Sequence, residues 1–299
     1  MPELPDITVY VEALGRVIRG RALERVRTIS PSLLRTWDPP LSALNGRTVC
    51  DVGHLAKRIV IHFEDDLYVV IHLMIAGRFQ WVAKRAAPLP RRIGHAAFDF
   101  ENGTLILTEA GTRKRAGLWV LRGADAVAAQ DRGGIDPLSA STEDFSEALR
   151  RENRTLKRAL TDPRILGGIG NAYSDEILWR AQLSPVRRTQ QLSTNELHIL
   201  HAATVATLRE WIDRLRTEAG DGFPAKVTAF RPEMAVHGRY RKPCPRCGSP
   251  VQRIVYASNE TNYCATCQTG GRLLADRALS RLLGEDWPRS LEDLEELTS

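Results

Sequence analysis

The sequence predicts an α+β chain of more than one domain: an N-terminal helix with a β-sandwich, then a helical domain, then a small cysteine-bearing hairpin. Three observations carry this. Short β-branched runs broken by Gly, Pro, Asn and Asp crowd residues 20–121, the apolar spacing turns helical from about residue 141 to 219, and four of the five cysteines fall as two C-x-x-C pairs. At 299 residues the chain has room for one large or two ordinary domains, since a domain runs to roughly 100 to 200 residues.

The elements follow in order. Ile7, Val9, Tyr10, Val11, Leu14 and Val17 suit one amphipathic helix over residues 6–18. Thr48 to Val52, Arg58 to Phe63, Leu67 to His72, Ala96 to Phe100 and Thr104 to Thr108 read as strands, with Asp65-Asp66 and Glu101-Asn102-Gly103 as hairpin turns. Asp131 to Ser139 is rich in turn formers and marks a boundary, with Ser141-Thr142-Glu143 opening a helix after it. Helical spacing follows over Phe145 to Leu149, Ala172 to Trp179 and Leu197 to Leu215. The division expected is 1–130, a linker over 131–142, 143–240, a ribbon over 241–270 and an extension over 271–299. That extension has helical spacing from Arg272 to Leu283 and an acidic amphipathic end from Leu291 to Leu297.

Composition narrows the class. Hydrophobic residues make up 43% and charged residues 26%, the balance of a globular chain rather than a disordered or fibrous one. The apolar run Leu67 to Ile71 stops at His72, well short of the roughly 20 residues of a membrane span, so no membrane partner is expected. Met1-Pro2-Glu3-Leu4-Pro5-Asp6 is acidic where a signal peptide is basic and then apolar, and a cytoplasmic location is expected. The 42 Lys and Arg exceed the 36 Asp and Glu, which permits a polyanionic partner without demanding one. Basic clusters such as Arg113-Lys114-Arg115 and Arg239-Tyr240-Arg241-Lys242 are either solvated surface or parts of one binding groove.

Cys50 stands alone in an apolar stretch and reads as a small buried hydrophobe without a role. Cys244-Pro-Arg-Cys247 and Cys264-Ala-Thr-Cys267, sixteen residues apart, have the spacing of a four-thiolate zinc site. The segments Val251 to Tyr256 and Asn262-Tyr263 between them read as strands of a zinc ribbon. With four protein ligands the Zn2+ ion is structural, so chemistry is sought elsewhere. Asp162 to Asn171 is a glycine-rich turn before a helix, a place where backbone amides can hold a phosphate.

Pro2-Glu3-Leu4-Pro5, Ala56-Lys57, His72-Leu73, Ile169-Gly170-Asn171-Ala172-Tyr173 with Asp175-Glu176, His237-Gly238-Arg239 and the terminal ribbon occur in one order. That series resembles the formamidopyrimidine-DNA glycosylase / endonuclease VIII family, over residues 2 to about 268. The resemblance implies a helix-plus-β-sandwich domain, a helix-two-turn-helix domain and a zinc ribbon. It implies a bifunctional DNA glycosylase and abasic-site lyase that excises oxidised bases through a Schiff base and cuts by β,δ-elimination. Its partner would be double-stranded DNA with damaged bases or abasic sites, bound by a monomer. Pro2 would be the nucleophile after loss of Met1, Glu3 the proton donor to the sugar, and Lys57 the group at the target phosphate. Gly170 and Asn171 would hold flanking phosphates, although Asn171 also suits a bare helix N-cap. Lys157 reads as a DNA contact or a solvated helix face, and His72 as a phosphate contact or a satisfied strand-end histidine.

The chain also departs from the family pattern. Aligning on Gly77 puts Ile75 where the family has an inserting Met, with Met74 beside it, and either could fill the void left by a flipped base. Arg113 can read the partner base, while Arg115 stands where the family has an aromatic wedge. The ribbon carries Asn259 in place of the family arginine, so Arg239 or Arg253 would have to supply the charge. The segment Gly220 to Phe230 is short for the loop that covers 8-oxoguanine in the specialists, which argues against assuming that substrate. A catalytically weak damage-binding protein, or a lyase without strong glycosylase activity, is the alternative.

Overall fold

Ile7, Tyr10, Leu14 and Ile18 recur three and four residues apart and are all fully buried, which makes one face of a helix the natural cover for a β-sheet. The computed structural model of the chain shows that helix, α1, over Leu4–Ile18. It describes residues 1–29, 31–225, 227–256, 259–275, 281, 282, 284 and 288–296. Half of the segment from Arg272 to Leu283, where helical spacing is expected, lies outside them. Glu3 sits at the N-cap, Pro5 fits the first turn, and Asp6 accepts the Glu3 backbone N–H at 3.0 Å.

Eight strands follow: β1 (Leu23–Thr28), β2 (Val49–Leu55), β3 (Arg58–Phe63), β4 (Leu67–His72), β5 (Gly77–Val82), β6 (Gly94–Phe100), β7 (Gly103–Glu109) and β8 (Gly117–Arg122). They form two antiparallel four-stranded sheets, ordered β1-β6-β7-β5 and β2-β3-β4-β8. Alternation explains the packing, since Ile59, Ile61 and Phe63 of β3 and Leu67, Val69 and Ile71 of β4 enter the core that Phe98, Phe100, Leu105 and Leu107 share. A short helix α2 (Ala124–Ala128) follows. Cys50, expected in the core, is exposed. The β2–β3 register shifts between Val49 and Asp51, and a bulge of this kind turns a residue out of the alternation.

The helices α3 (Thr142–Arg150), α4 (Leu156–Thr161), α5 (Asn171–Arg180) and α6 (Thr194–Ala219) come next, before the ribbon. Ser141 caps α3 by accepting the Asp144 N–H, as its sequence promised. The ribbon hairpin β9 (Gln252–Tyr256) and β10 (Asn259–Tyr263) leads into α7 (Ala265–Thr269). Beyond it the chain returns: Leu273 N–H donates to Arg289 C=O at 2.8 Å, and α8 (Leu291–Glu296) sets Leu291 and Leu294 against Ile254, Tyr263, Leu273 and Leu274. By contacts the chain divides into two units, Met1–Arg132 with Glu210–Thr228, and Gly133–Arg209 with Ala229–Ser299.

The turn joining β4 to β5 is under tight constraint. Met74 holds a positive φ of 54°, and a Cβ on Gly77 would stand 2.2 Å from the Leu73 carbonyl oxygen. Gly77→Ala should therefore destabilise the fold by about 1–3 kcal/mol, the usual cost of overpacking. Gly53→Ala, whose added Cβ meets nothing within 4 Å, serves as the control in urea unfolding. Equal midpoints for the two variants would show that the turn does not need its glycine.

Candidate active site and zinc ribbon

In the first unit, α1 and the β2–β3 and β4–β5 turns supply the candidate groups. Pro2 and Glu3 are buried. Lys57 lies in the two-residue loop closed by the Leu55–Arg58 pair, next to Ala56 at a φ of 51°. A positive φ on a residue with a Cβ is a strained choice that tight loops at functional sites tolerate. The Lys57 pKa is lowered by burial, with Glu3 opposing the shift. The amine at the chain start is lowered as well, first by burial, while Glu3 raises it and Arg78 and Lys57 lower it. Two carboxylates, Glu3 and Asp6, and two cations thus act on a single half-desolvated amine.

Arg78 was missed by sequence reasoning. Its guanidinium donates to Val227 C=O at 2.6 Å and Ile75 C=O at 3.0 Å, both within this unit. The signal available was a cation directly after the structurally required Gly77.

His72 ends β4 and accepts the Met74 N–H at Nδ1, 3.0 Å away. The ring proton then belongs on Nε2, and burial together with Arg58, Lys57 and Arg132 lowers the pKa to about 4, so the ring is neutral at pH 7. Of the two candidate wedges, Met74 is half-buried and Ile75 is 59% exposed. Arg113 and Arg115 are exposed on the loop before β8. That loop is pinned by buried Glu109, whose carboxylate accepts the Arg115 and Ala116 N–H groups at 3.0 and 3.2 Å.

In the second unit the glycine-rich turn leads into α5. Gly170, not Asn171, is the N-cap, which frees the Asn171 side chain to donate from Nδ2 to Glu260 C=O of the ribbon at 2.9 Å. Lys157 is held inside the unit, donating to Asn171 C=O at 2.6 Å and Asp175 Oδ1 at 2.5 Å. The other Asp175 oxygen lies 2.8 Å from His237 Nδ1. Glu176 accepts three successive backbone N–H groups, from Ala235, Val236 and His237, at 2.7–2.9 Å. Burial raises its pKa while those donors pull it down. Arg239 donates to Pro232 C=O at 2.8 Å. Asn259 opens β10 opposite Tyr256, and its side chain lies outside the described residues. Arg253 of β9 stacks on Tyr240 at 4.3 Å and pairs with Glu260 at 3.4 Å.

The four ribbon thiols Cys244, Cys247, Cys264 and Cys267 lie within 4.8 Å of one another. Cys244–Cys267 is 4.0 Å and Cys247–Cys264 is 3.4 Å. Tetrahedral zinc with bonds of about 2.3 Å needs sulfurs about 3.8 Å apart, so the donor set fits one ion. Trp179 Nε1–H donates to Cys244 Sγ at 3.3 Å, the outer contact that steadies a thiolate ligand.

Family models match three segments: the formamidopyrimidine-DNA glycosylase N-terminal domain over residues 1–117, the formamidopyrimidine-DNA glycosylase H2TH domain over 134–220, and the zinc finger found in FPG and IleRS over 241–270. The formamidopyrimidine-DNA glycosylase of Heliobacterium modesticaldum is 31% identical over 277 residues, covering 90% of this chain and 100% of its own. The chain belongs to the formamidopyrimidine-DNA glycosylase family. Among solved relatives, a mutant Lactococcus lactis FPG bound to Fapy-dG-containing DNA superposes with a TM-score of 0.78 at 26% identity, covering 90% of this chain and all of the other. The Lactococcus lactis Fpg bound to DNA with an abasic site gives 0.77 at 25% identity, covering 89% and 99%. The family's zinc finger is present with its four-cysteine cluster, and its one ion is structural. No helix among the described residues is long and apolar enough to cross a membrane.

Because Cys244, Val251 and Cys264 share a small core with Trp179, the metal and the ribbon should fold together. Cys264→Ser, or zinc removal with a chelator, should lower Trp179 burial and weaken DNA binding at least tenfold. Fluorescence and anisotropy titration measure both, and unchanged affinity would mean the ribbon is dispensable for DNA.

Proposed function

We propose that this chain excises oxidised bases, purines first among them, from duplex DNA and then cleaves the abasic strand. The observation that carries the reading is the half-buried chain-start amine with Glu3, Lys57 and Arg78 acting on it. Loss of Met1 makes Pro2 a secondary amine in that same field, where nearby cations favour the neutral, nucleophilic form. Its lone pair attacks C1′ as the N-glycosidic bond breaks and the base leaves with the electron pair. Glu3 delivers a proton to O4′, the attacking nitrogen gives up its own proton, and the C1′–O4′ bond breaks to leave an open-chain iminium. Loss of a C2′ proton expels the 3′ phosphate, and a second elimination expels the 5′ phosphate.

Lys57, His72 through Nε2–H, and the Asn171 turn are assigned to phosphates. Lys157 is assigned to holding that turn, since its ammonium is bonded to Asn171 C=O and Asp175. Ile75 is assigned to the void left by the everted base, because it is the exposed apolar side chain of its turn. Arg113 is assigned to the orphaned partner base. Relatives crystallised with Fapy-dG and abasic DNA support this substrate class.

Borohydride trapping of the Met1-processed protein tests the reading. A covalent band on an abasic duplex and on a formamidopyrimidine duplex, absent in Pro2→Ala, is expected. A band on the abasic duplex alone would reduce the protein to a lyase, and no band despite binding would leave a damage-binding protein.

The electrostatics give a second test. Arg78 lowers the amine pKa, so Arg78→Gln should raise it and move the acid limb of the trapping profile to higher pH. Arg78→Lys should keep the limb in place. Identical pH limbs in wild type and Arg78→Gln would remove Arg78 from the amine's field.

A further inference from the structure

Antiparallel pairing sets Arg58 of β3 directly opposite His72 of β4, and directly opposed residues project from the same face of a sheet. The Arg58 guanidinium lies 5.6 Å from the Trp119 ring centre and donates from Nη1 to Gln130 C=O. Its Nε is buried and finds no acceptor. Two residues past Gln130 stands exposed Arg132. Lys57 precedes Arg58 in the chain.

Such a cluster is costly as it stands. Arg58 loses solvation and feels Arg132, with Asp131 as the acid acting on it, while His72 feels Arg58, Lys57 and Arg132 together. Like charges held together in a half-buried place raise each other's cost of ionisation. A guanidinium cannot escape by losing its proton, because its pKa lies too high. An anion with several acceptor oxygens, bound at the exposed side of the cluster, relieves the repulsion.

We propose that Arg58 and Arg132 join the Nε2–H of His72 to form a phosphodiester-binding site beside Lys57, taking a second phosphate of the DNA backbone. The site rests on the DNA-processing reading above and extends it to residues that reading does not use. Arg58 fixes the fork geometry against Trp119, and Arg132 adds an exposed charge at the rim.

The salt dependence of affinity tests it, because each phosphate neutralised adds about 0.9 to the slope of log K against log salt on duplex DNA. The probe is a duplex with a tetrahydrofuran abasic analogue, titrated by anisotropy across a salt series with the full chain. Arg58→Gln and Arg132→Gln should each flatten the slope by about 0.9, while Arg58→Lys keeps it, and thermal unfolding reports whether each variant folds. Arg58 also braces Gln130, so a loss in Arg58→Gln alone could be distortion. Arg132→Gln decides: a wild-type slope in that variant overturns the site whatever Arg58→Gln does. A wild-type protein with no salt-dependent DNA binding would sink the DNA reading itself, a different result from a steep slope that both variants preserve.

Discussion

Burial of the first turn of the chain is the constraint on which the first unit depends. Termini are ordinarily frayed and solvated, yet here Glu3 and Asp6 are nearly inaccessible and Ile7, Tyr10, Leu14 and Ile18 anchor the helix that follows. Tyr10 ties that helix to β5, bonding Phe79 through both its carbonyl and its N–H at 3.4 and 3.3 Å. Since β5 begins two residues earlier at Gly77, one packed helix fixes the chain start against the turn that carries Met74 and Ile75. The electrostatic environment of the terminus is thus set by tertiary packing, which desolvates the amine and places it in the field of Glu3, Arg78, Asp6 and Lys57.

The second unit solves a different problem, that of holding an unusual backbone turn with buried charge. Lys157 and Asp175 form an ion pair at 2.5 Å, and a buried pair of this kind offsets its desolvation only when the remaining lone pairs and protons are satisfied. Further partners are present: Lys157 also bonds the Asn171 carbonyl, and the second Asp175 oxygen meets His237. Glu176 meanwhile gathers three backbone N–H groups of the segment ending at His237. The result is that the Asn171 turn and the His237–Arg239 segment are fastened to the same helix, α5, while Asn171 itself reaches the ribbon.

Much of this was legible in the sequence because it lies in the pattern of side chains. The strands Arg58–Phe63 and Leu67–His72 coincide with their predicted bounds, and so does the metal set. The strands that the sequence did not show, β1, β5 and β8, are all at sheet edges. In β1 the run Leu-Glu-Arg-Val-Arg-Thr carries the charged residues that discourage further pairing at an edge, and there they erase the apolar alternation by which strands are found. Cys50 misled for a related reason, since a register shift at the β2 edge reverses the inside-outside assignment. Arg58 and Arg78 were hidden among forty-two basic residues, and only the fold shows which of them face the amine or one another.

The placement of those arginines also says what kind of compromise this fold accepts. A stable sandwich would put an apolar or neutral residue opposite His72 and leave the Trp119 face to packing. Instead a guanidinium occupies the position with a donor unsatisfied, next to a loop in which Ala56 holds a conformation better suited to glycine. Local rules of packing and backbone preference are broken together within three residues, Ala56 to Arg58. Where such breaks cluster in a protein that is otherwise self-consistent, they mark the place where a bound ligand completes the structure. In the site proposed above the completing charge is negative, and the phosphates of a nucleic-acid backbone would supply it.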